Sequence, residues 1–263
     1  MDARLDVRKT LPENAQDYYG RSKKAKAKIP GLEKAIEDTR AQIERLTDKI
    51  LAEGREREQK AAKSTRKIKW FEKFRWFVSS DGFLVIGGRD ATSNEIVIKK
   101  HTDASDLVFH ADVQGAPFFV VKNPDKNELP EDTVREAAEA AASYSSGWKK
   151  GVGELDVYYI MPEQVSKTPE SGEYLAKGAF VIRGKRNWMR KTSLRLAVGV
   201  GEDDAVLGGP VSAIEKACSV LAVIAPGDLK QGEAVKRVSE ILGCALLSDV
   251  QRFVPGGKTR IIK

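Results

Sequence analysis

Two histidines, His101 and His110, are all that 263 residues offer. His110-Ala111-Asp112, with Asp90 upstream, could supply acid–base chemistry if folding brought those side chains together. It is too little for zinc, which needs three or four ligands. Cys218 and Cys244 lie in apolar stretches, KACSVLAVI and ILGCALL. They read as core fillers in a reducing compartment rather than as ligands or a disulfide. No GxSxG elbow, Walker loop or HExxH helix occurs. The sequence therefore predicts a chain with no catalytic residues, no metal and no cofactor. A nuclease or hydrolase using Asp90, His110 and Asp112 is the lesser alternative.

Two basic, aromatic clusters suit a polyanion better. The first runs from Arg66 to Trp76 and holds Lys67, Lys69, Trp70, Phe74 and Arg75. Its aromatics read mostly as core, with the basic neighbours facing water. The second runs from Arg183 through Lys185, Arg186, Trp188, Arg190 and Lys191 to Arg195 without an acidic residue. Lys and Arg neutralise phosphates, and flat rings stack on unpaired bases. Gly184 would let backbone approach a ligand closely.

Charge distribution points the same way. Residues 1–70 hold 19 Lys and Arg against 12 Asp and Glu, so the whole net charge of +7 sits there. A basic segment on a neutral body is the footprint of a polyanion partner, or of a solvated, charge-laced helix.

The elements that must position these residues divide into an arm and a body. Residues 14–69 read as one long helix, kinked at Pro30-Gly31. Tyr18, Ser22, Ala25, Ile29, Leu32, Ile36, Thr39, Ile43, Leu46 and Ile50 recur in steps of three and four, a coiled-coil seam. A one-stripe helix needs another against it, so the alternative reading is a coiled-coil protein-interaction or dimerisation module, the arm pairing with a second copy (a homodimer), a partner's helix or a missing region. From Trp70 the chain reads as a body. Asp81-Gly82 signals a two-residue hairpin turn. DLVFHAD, PFFVVKN, LDVYYIM and GAFVIRG read as strands, and 131–148 as a helix with an alanine face. IVIKK is undecided between strand and helix. The fold class is α+β: a coiled-coil arm (1–69), a mixed α/β RNA-binding domain (70–200) and a small C-terminal α/β appendage (201–263). No apolar run approaches the roughly 20 residues that span a bilayer. No secretory signal opens the chain, so the expected address is the cytoplasm, with no membrane partner.

WFEKFRWFVSSDGFLVIGGRDATSNE, then DLVFHADVQGAP, then FVIRGKRNWM resemble the NFACT-R domain. This is the RNA-binding module of the NFACT family of ribosome-associated quality-control factors, and the archaeal branch is the nearest. LPENAQDYYGRSKKAKAKIPGLEKAIEDT resembles the start of that family's middle coiled coil. The family's large N-terminal domain is not in this chain, which reads as a C-terminal fragment. Gly88-Arg89-Asp90-Ala91 and Asn94 match the loop after the family's second strand. The resemblance implies that Asn94 opens a helix through IVIKKH. Asp106 and His110 match a D-x-x-x-H strand, and Ser166-Lys167 with Gly172 a later loop. On this basis Arg89, Asn94, His110 and Lys167 join the RNA-contacting set, while Asp90 reads as structural. The implied role is a non-enzymatic module that binds rRNA and tRNA on the large ribosomal subunit. There it would help recognise subunits obstructed by peptidyl-tRNA and support C-terminal tailing of stalled chains.

Overall fold

The computed structural model describes residues 5–63, 69–168, 178–201, 204–243 and 247–262, with side chains of 40, 41 and 43–63 outside that description. Lys67, Gly172 and Cys244 fall outside it, as do the side chains of Ile43, Leu46 and Ile50. The chain forms two compact units, residues 1–67 and 68–263.

The first unit is built on α1 (Leu11–Lys63), which runs through Pro30 without a break. Its start is held locally. Thr10 donates from its backbone and hydroxyl to Glu13 Oε2 at 2.7 and 2.8 Å. Buried Asn14 accepts from the Asp6 N–H at 2.8 Å and donates to the carbonyls of Asp6, Lys9 and Thr10. These bonds satisfy donors and acceptors that a helix N-terminus leaves open. Ile29, Leu32 and Ile36 are 48%, 61% and 53% exposed.

Among the described residues the second unit holds two larger sheets and a two-stranded one. It opens with β1 (Arg75–Val78), β2 (Leu84–Gly87), α2 (Ala91–Lys100), β3 (Leu107–Ala111) and β4 (Phe119–Val121). Then come α3 (Glu131–Ser143), α4 (Ser146–Lys150), β5 (Glu154–Ile160), β6 (Val165–Ser166), β7 (Val181–Ile182) and β8 (Asn187–Ser193). Next are β9 (Leu196–Val200), β10 (Val206–Gly209), α5 (Val211–Ala217) and β11 (Val220–Leu229). The chain closes with α6 (Gln231–Leu242), α7 (Leu247–Gln251) and β12 (Thr259–Ile261). Sheet one is antiparallel in the order β1-β2-β4-β3-β5-β8, and sheet two runs β10-β9-β11-β12. β6 and β7 pair separately. A boundary at 200/201 falls between β9 and β10, which are paired strands of one sheet.

Sheet one buries both faces. With a side-chain period of two, Phe77, Val85, Phe109, Phe119 and Val157 pack against the alanines of α3 and against sheet two. Ile86, Val108, Val120, Tyr158 and Ile160 pack on the other side with Val97 of α2. The alanine face lets α3 approach closely, and Ala137, Ala138, Ala140, Ala141 and Ala142 are fully buried. Buried Asp106 pins the β3–β4 region: it accepts from Asn123 N and Asp103 N, each at 2.8 Å, and pairs with Lys122. Cys218 is a buried free thiol. Among the described residues, no helix is long and apolar enough to cross a membrane.

Three local expectations change. The first hairpin closes through five residues, since Val78 pairs with Leu84. Ser79 explains this: its carbonyl accepts from Gly82 N and its hydroxyl from Phe83 N, organising a wider loop. The helix after the GRDA turn starts at Ala91 rather than Asn94, because Asp90 caps it and accepts from Ser93 N at 2.8 Å. The helix expected over 131–148 is broken at Tyr144-Ser145, where Ser145 Oγ caps α4 by accepting from Gly147 N at 3.0 Å.

Candidate nucleic-acid interface

The Arg183–Arg195 cluster is mostly strand. Asn187–Ser193 form β8, the last strand of sheet one among the described residues. An edge strand rich in Arg and Lys resists pairing with other chains and leaves its charges in water. Arg183, Lys185, Arg186, Trp188, Arg190 and Lys191 are all exposed. Gly184 serves the protein itself: its φ of +78° lets the turn wrap the Gln164 amide, which donates to the carbonyls of Arg183 (2.8 Å) and Lys185 (2.9 Å).

Register builds a row across three strands. His110 pairs with Tyr158, and Tyr158 with Trp188, so all three side chains stand on one face. Tyr158 Oη and His110 Nδ1 are 3.3 Å apart. The Tyr158 and Trp188 rings meet edge-on, 5.2 Å between centroids. Arg186 lies 4.8 Å from the Tyr158 ring centre, and Arg190 lies 4.3 Å from that of Trp188. Arg190 is also paired with Asp156 at 2.6 Å, which offsets one positive charge of the edge. Trp188 is 37% exposed, with the Arg190 guanidinium over its ring.

The row leads into a cleft of about 500 Å³ at the end of sheet one, where β2 and β3 stop and β1 and β4 begin. Its walls include Arg75, Arg89, His110, Phe118, Tyr144 and Phe180. Burial pushes the His110 pKa down to about 4, and backbone bonds to Ala116 and Ala111 only partly offset this. His110 is therefore neutral at pH 7. So weak a base makes a poor proton acceptor there. Asp90 is occupied as a helix cap, and Asp112 is not part of the cleft wall. Among the described residues, no three His, Cys, Asp or Glu side chains converge on a metal position.

Other expected contact residues turn out to hold the walls. Asn94 is buried, and its Oδ1 accepts from Phe118 N at 3.2 Å. Gly88 must be glycine because a Cβ there would fall 1.9 Å from that oxygen. Lys167 pairs with Glu95 at 2.6 Å and donates to the Ala179 carbonyl at 3.0 Å. Glu95 also accepts from Gly178 N, and these bonds hold its carboxyl well below the usual range. Lys69 is exposed and lies outside the cleft. In the first cluster Phe74 is buried, whereas Trp70 is exposed and stacks on His101 at 4.5 Å.

Residues 73–184 match the family model described as the NFACT protein RNA binding domain. The archaeal Rqc2 homolog aRqcH of Methanocaldococcus jannaschii is 46% identical over 210 residues, covering 78% of this chain and 31% of that protein. The chain belongs to the NFACT family. The ribosome quality control complex subunit NEMF homolog of Drosophila melanogaster is 39% identical over 74% of this chain and 20% of its own length. The human ribosome quality control complex subunit NEMF is 38% identical over 70% of this chain and 17% of its own length. The chain thus spans less than a third of each of these relatives. Within this NFACT chain the matched segment includes every residue that lines the cleft, from Arg75 to Ile182, and it ends at Gly184, just before β8. Tyr144, Tyr158 and Arg252 were not singled out from the sequence. Tyr158 could have been found by alternation in LDVYYIM, but only once the facing strand was known.

Proposed function

We propose that this chain is the RNA- and ribosome-binding part of a ribosome-associated quality-control factor, and that it acts by holding RNA rather than by catalysis. The observation that carries the reading is the row His110–Tyr158–Trp188, flanked by Arg186 and Arg190, on an edge strand of positive charge. Guanidinium groups neutralise phosphates while an exposed indole stacks on an unpaired base. The names of the relatives, ribosome quality control subunits and an Rqc2 homolog, support a ribosomal source for that RNA. In the finer reading, the module contacts rRNA and tRNA on large subunits obstructed by peptidyl-tRNA and supports C-terminal tailing. Co-sedimentation with purified large subunits, with and without peptidyl-tRNA, tests both levels across a salt series. Pelleting should fall steeply with salt, because each neutralised phosphate releases counterions. A preference for the tRNA-obstructed subunit supports the finer reading. No pelleting at low salt removes both.

The exposed seam Ile29, Leu32 and Ile36 favours a second reading, in which α1 pairs with a second copy of the chain. Sedimentation equilibrium tests it: Ile29→Ser, Leu32→Ser and Ile36→Ser together should convert a dimer to a monomer. A wild-type chain that is monomeric at high concentration ends this reading.

A further inference from the structure

We infer that the cleft at the end of sheet one receives a single unpaired nucleotide, its phosphate on Arg75 and Arg89 and its base against the rings of His110, Phe118 and Phe180. This deepens the RNA-binding reading and rests on it for the source of the nucleotide, but it uses different residues from the β8 edge.

The first reason is a concentration of positive charge that the described residues do not neutralise. Arg75 enters from β1 and lies over the Tyr144 ring, 4.0 Å from its centre. Its Nε is enclosed and has no hydrogen-bond acceptor among the described residues. Buried donors are normally paired, so the Arg75 guanidinium is left short of acceptors within the protein. Arg89 and Arg252 both donate to one neutral carbonyl, that of Glu72, at 3.5 and 2.9 Å. None of the three arginines forms an ion pair with a carboxylate of the described residues. Burial and the charges of Arg252 and Arg75 push the Arg89 pKa down, the sign of guanidinium groups crowding one another. Arginine stays charged regardless, so an anion is the means of relieving the crowding. A phosphate fits best, since its oxygens accept paired N–H bonds from a guanidinium.

The second reason is the rest of the wall. His110, neutral at pH 7, lies against Phe118 at 4.5 Å between centroids and a tilt of 40°, and Phe118 meets Phe180 edge-on at 5.5 Å. These rings offer an uncharged surface of the kind that holds a base. Backbone is also close at hand. Gly115, at φ +80°, has open space where a side chain would stand, with Ser146 Cβ nearest at 3.9 Å. At about 500 Å³ the cleft lies within the range of small-ligand sites. Ordinary inorganic phosphate would use the arginines and leave the rings idle.

The test is calorimetric titration of the full chain with AMP, CMP, adenosine and inorganic phosphate. It uses wild type, Arg89→Ala and the edge variant Lys185→Glu/Arg186→Glu. Arg89 is exposed, so its replacement leaves the core intact. Both mononucleotides should bind, adenosine should not, and phosphate should bind about tenfold more weakly or worse. Arg89→Ala should lower mononucleotide affinity by about tenfold, the loss expected for a charge-assisted hydrogen bond. The edge variant should keep its mononucleotide affinity while losing longer RNA. No binding of either mononucleotide overturns the proposal, as does equal affinity for AMP and phosphate, or indifference to Arg89→Ala. A chain that binds oligomeric RNA but ignores mononucleotides loses the cleft and keeps the edge. One that binds mononucleotides but no RNA loses the RNA-binding function and keeps the cleft.

Discussion

Trp188 stands directly opposite Tyr158 on paired strands, their rings 5.2 Å apart and inclined at 68°. Tyr158 supports the indole from beneath the sheet edge, and Arg190 shields its flank. Trp188 is thus a half-open aromatic surface held in place by a buried one. Trp188→Ala should weaken binding of single-stranded RNA by about 1–3 kcal/mol, the value of one base stacked on an aromatic ring. Fluorescence anisotropy with a labelled oligonucleotide reads the loss. An unchanged affinity removes Trp188 from the interface.

Charge on the same edge predicts a different signature. Arg183, Lys185, Arg186 and Arg190 changed together to Glu should abolish RNA binding and leave the circular dichroism spectrum unaltered, since all four are exposed. Arg186→Ala alone should lower the slope of log affinity against log salt by about one, as expected for a single phosphate contact. Arg190→Ala should do less, because Asp156 already shares that charge.

The Asp106–Lys122 pair is structural. Asp106 is fully buried and receives two backbone N–H bonds besides the lysine. Asp106→Ala leaves the N–H groups of Asp103 and Asn123 without their acceptor and removes one of the two carboxylates that hold Lys122, Asp103 being the other, at a cost of about 1–3 kcal/mol. The urea midpoint should fall sharply. A midpoint within error of wild type contradicts this account.

Two half-buried groups give stability opposite dependences on pH. His110 has its pKa lowered to about 4 in the folded chain. Between pH 6.5 and 4 the unfolded chain binds a proton that the folded chain refuses, so stability falls on acidification, by at most about 3 kcal/mol. Desolvation pushes Glu139 up to about 7. Between pH 4.5 and 7 the folded chain holds a proton that the unfolded chain releases, so stability falls as pH rises through that window. Urea unfolding from pH 4 to 9 checks both. His110→Gln should flatten the acid side, and Glu139→Gln should be more stable than wild type above pH 7. The reverse order at either end refutes the corresponding assignment.

Much of the plan is local and therefore readable in the chain. The heptad steps mark α1, because a helix repeats its face by its own geometry. The strands DLVFHAD, PFFVVKN and LDVYYIM show in their β-branched and aromatic runs. The motifs around GRDA and FHAD name the family. The turn types were less legible. Ser79 widened a loop that Asp81-Gly82 suggested would be tight, and Asp90 began a helix three residues before Asn94.

What the sequence determined by itself is the α+β class, the long helix, the family and the concentration of charge. Each depends on neighbours within a few turns or on a motif. Tertiary structure alone decided which side chains meet. Tyr158 and Tyr159 are adjacent and indistinguishable in LDVYYIM, yet Tyr158 packs on the α2 side of sheet one and joins the aromatic row, while Tyr159 packs on the α3 side. A register slip of one residue would exchange them, and only pairing with β3 and β8 sets that register. Likewise nothing local links Arg252 to Glu72, which lies 180 residues away, or Tyr144 to Arg75. Arg75 and Arg89 share one cleft, with Arg252 held beside Arg89 on the Glu72 carbonyl, because two sheets and α3 pack around a common core, and that packing is a property of the whole fold.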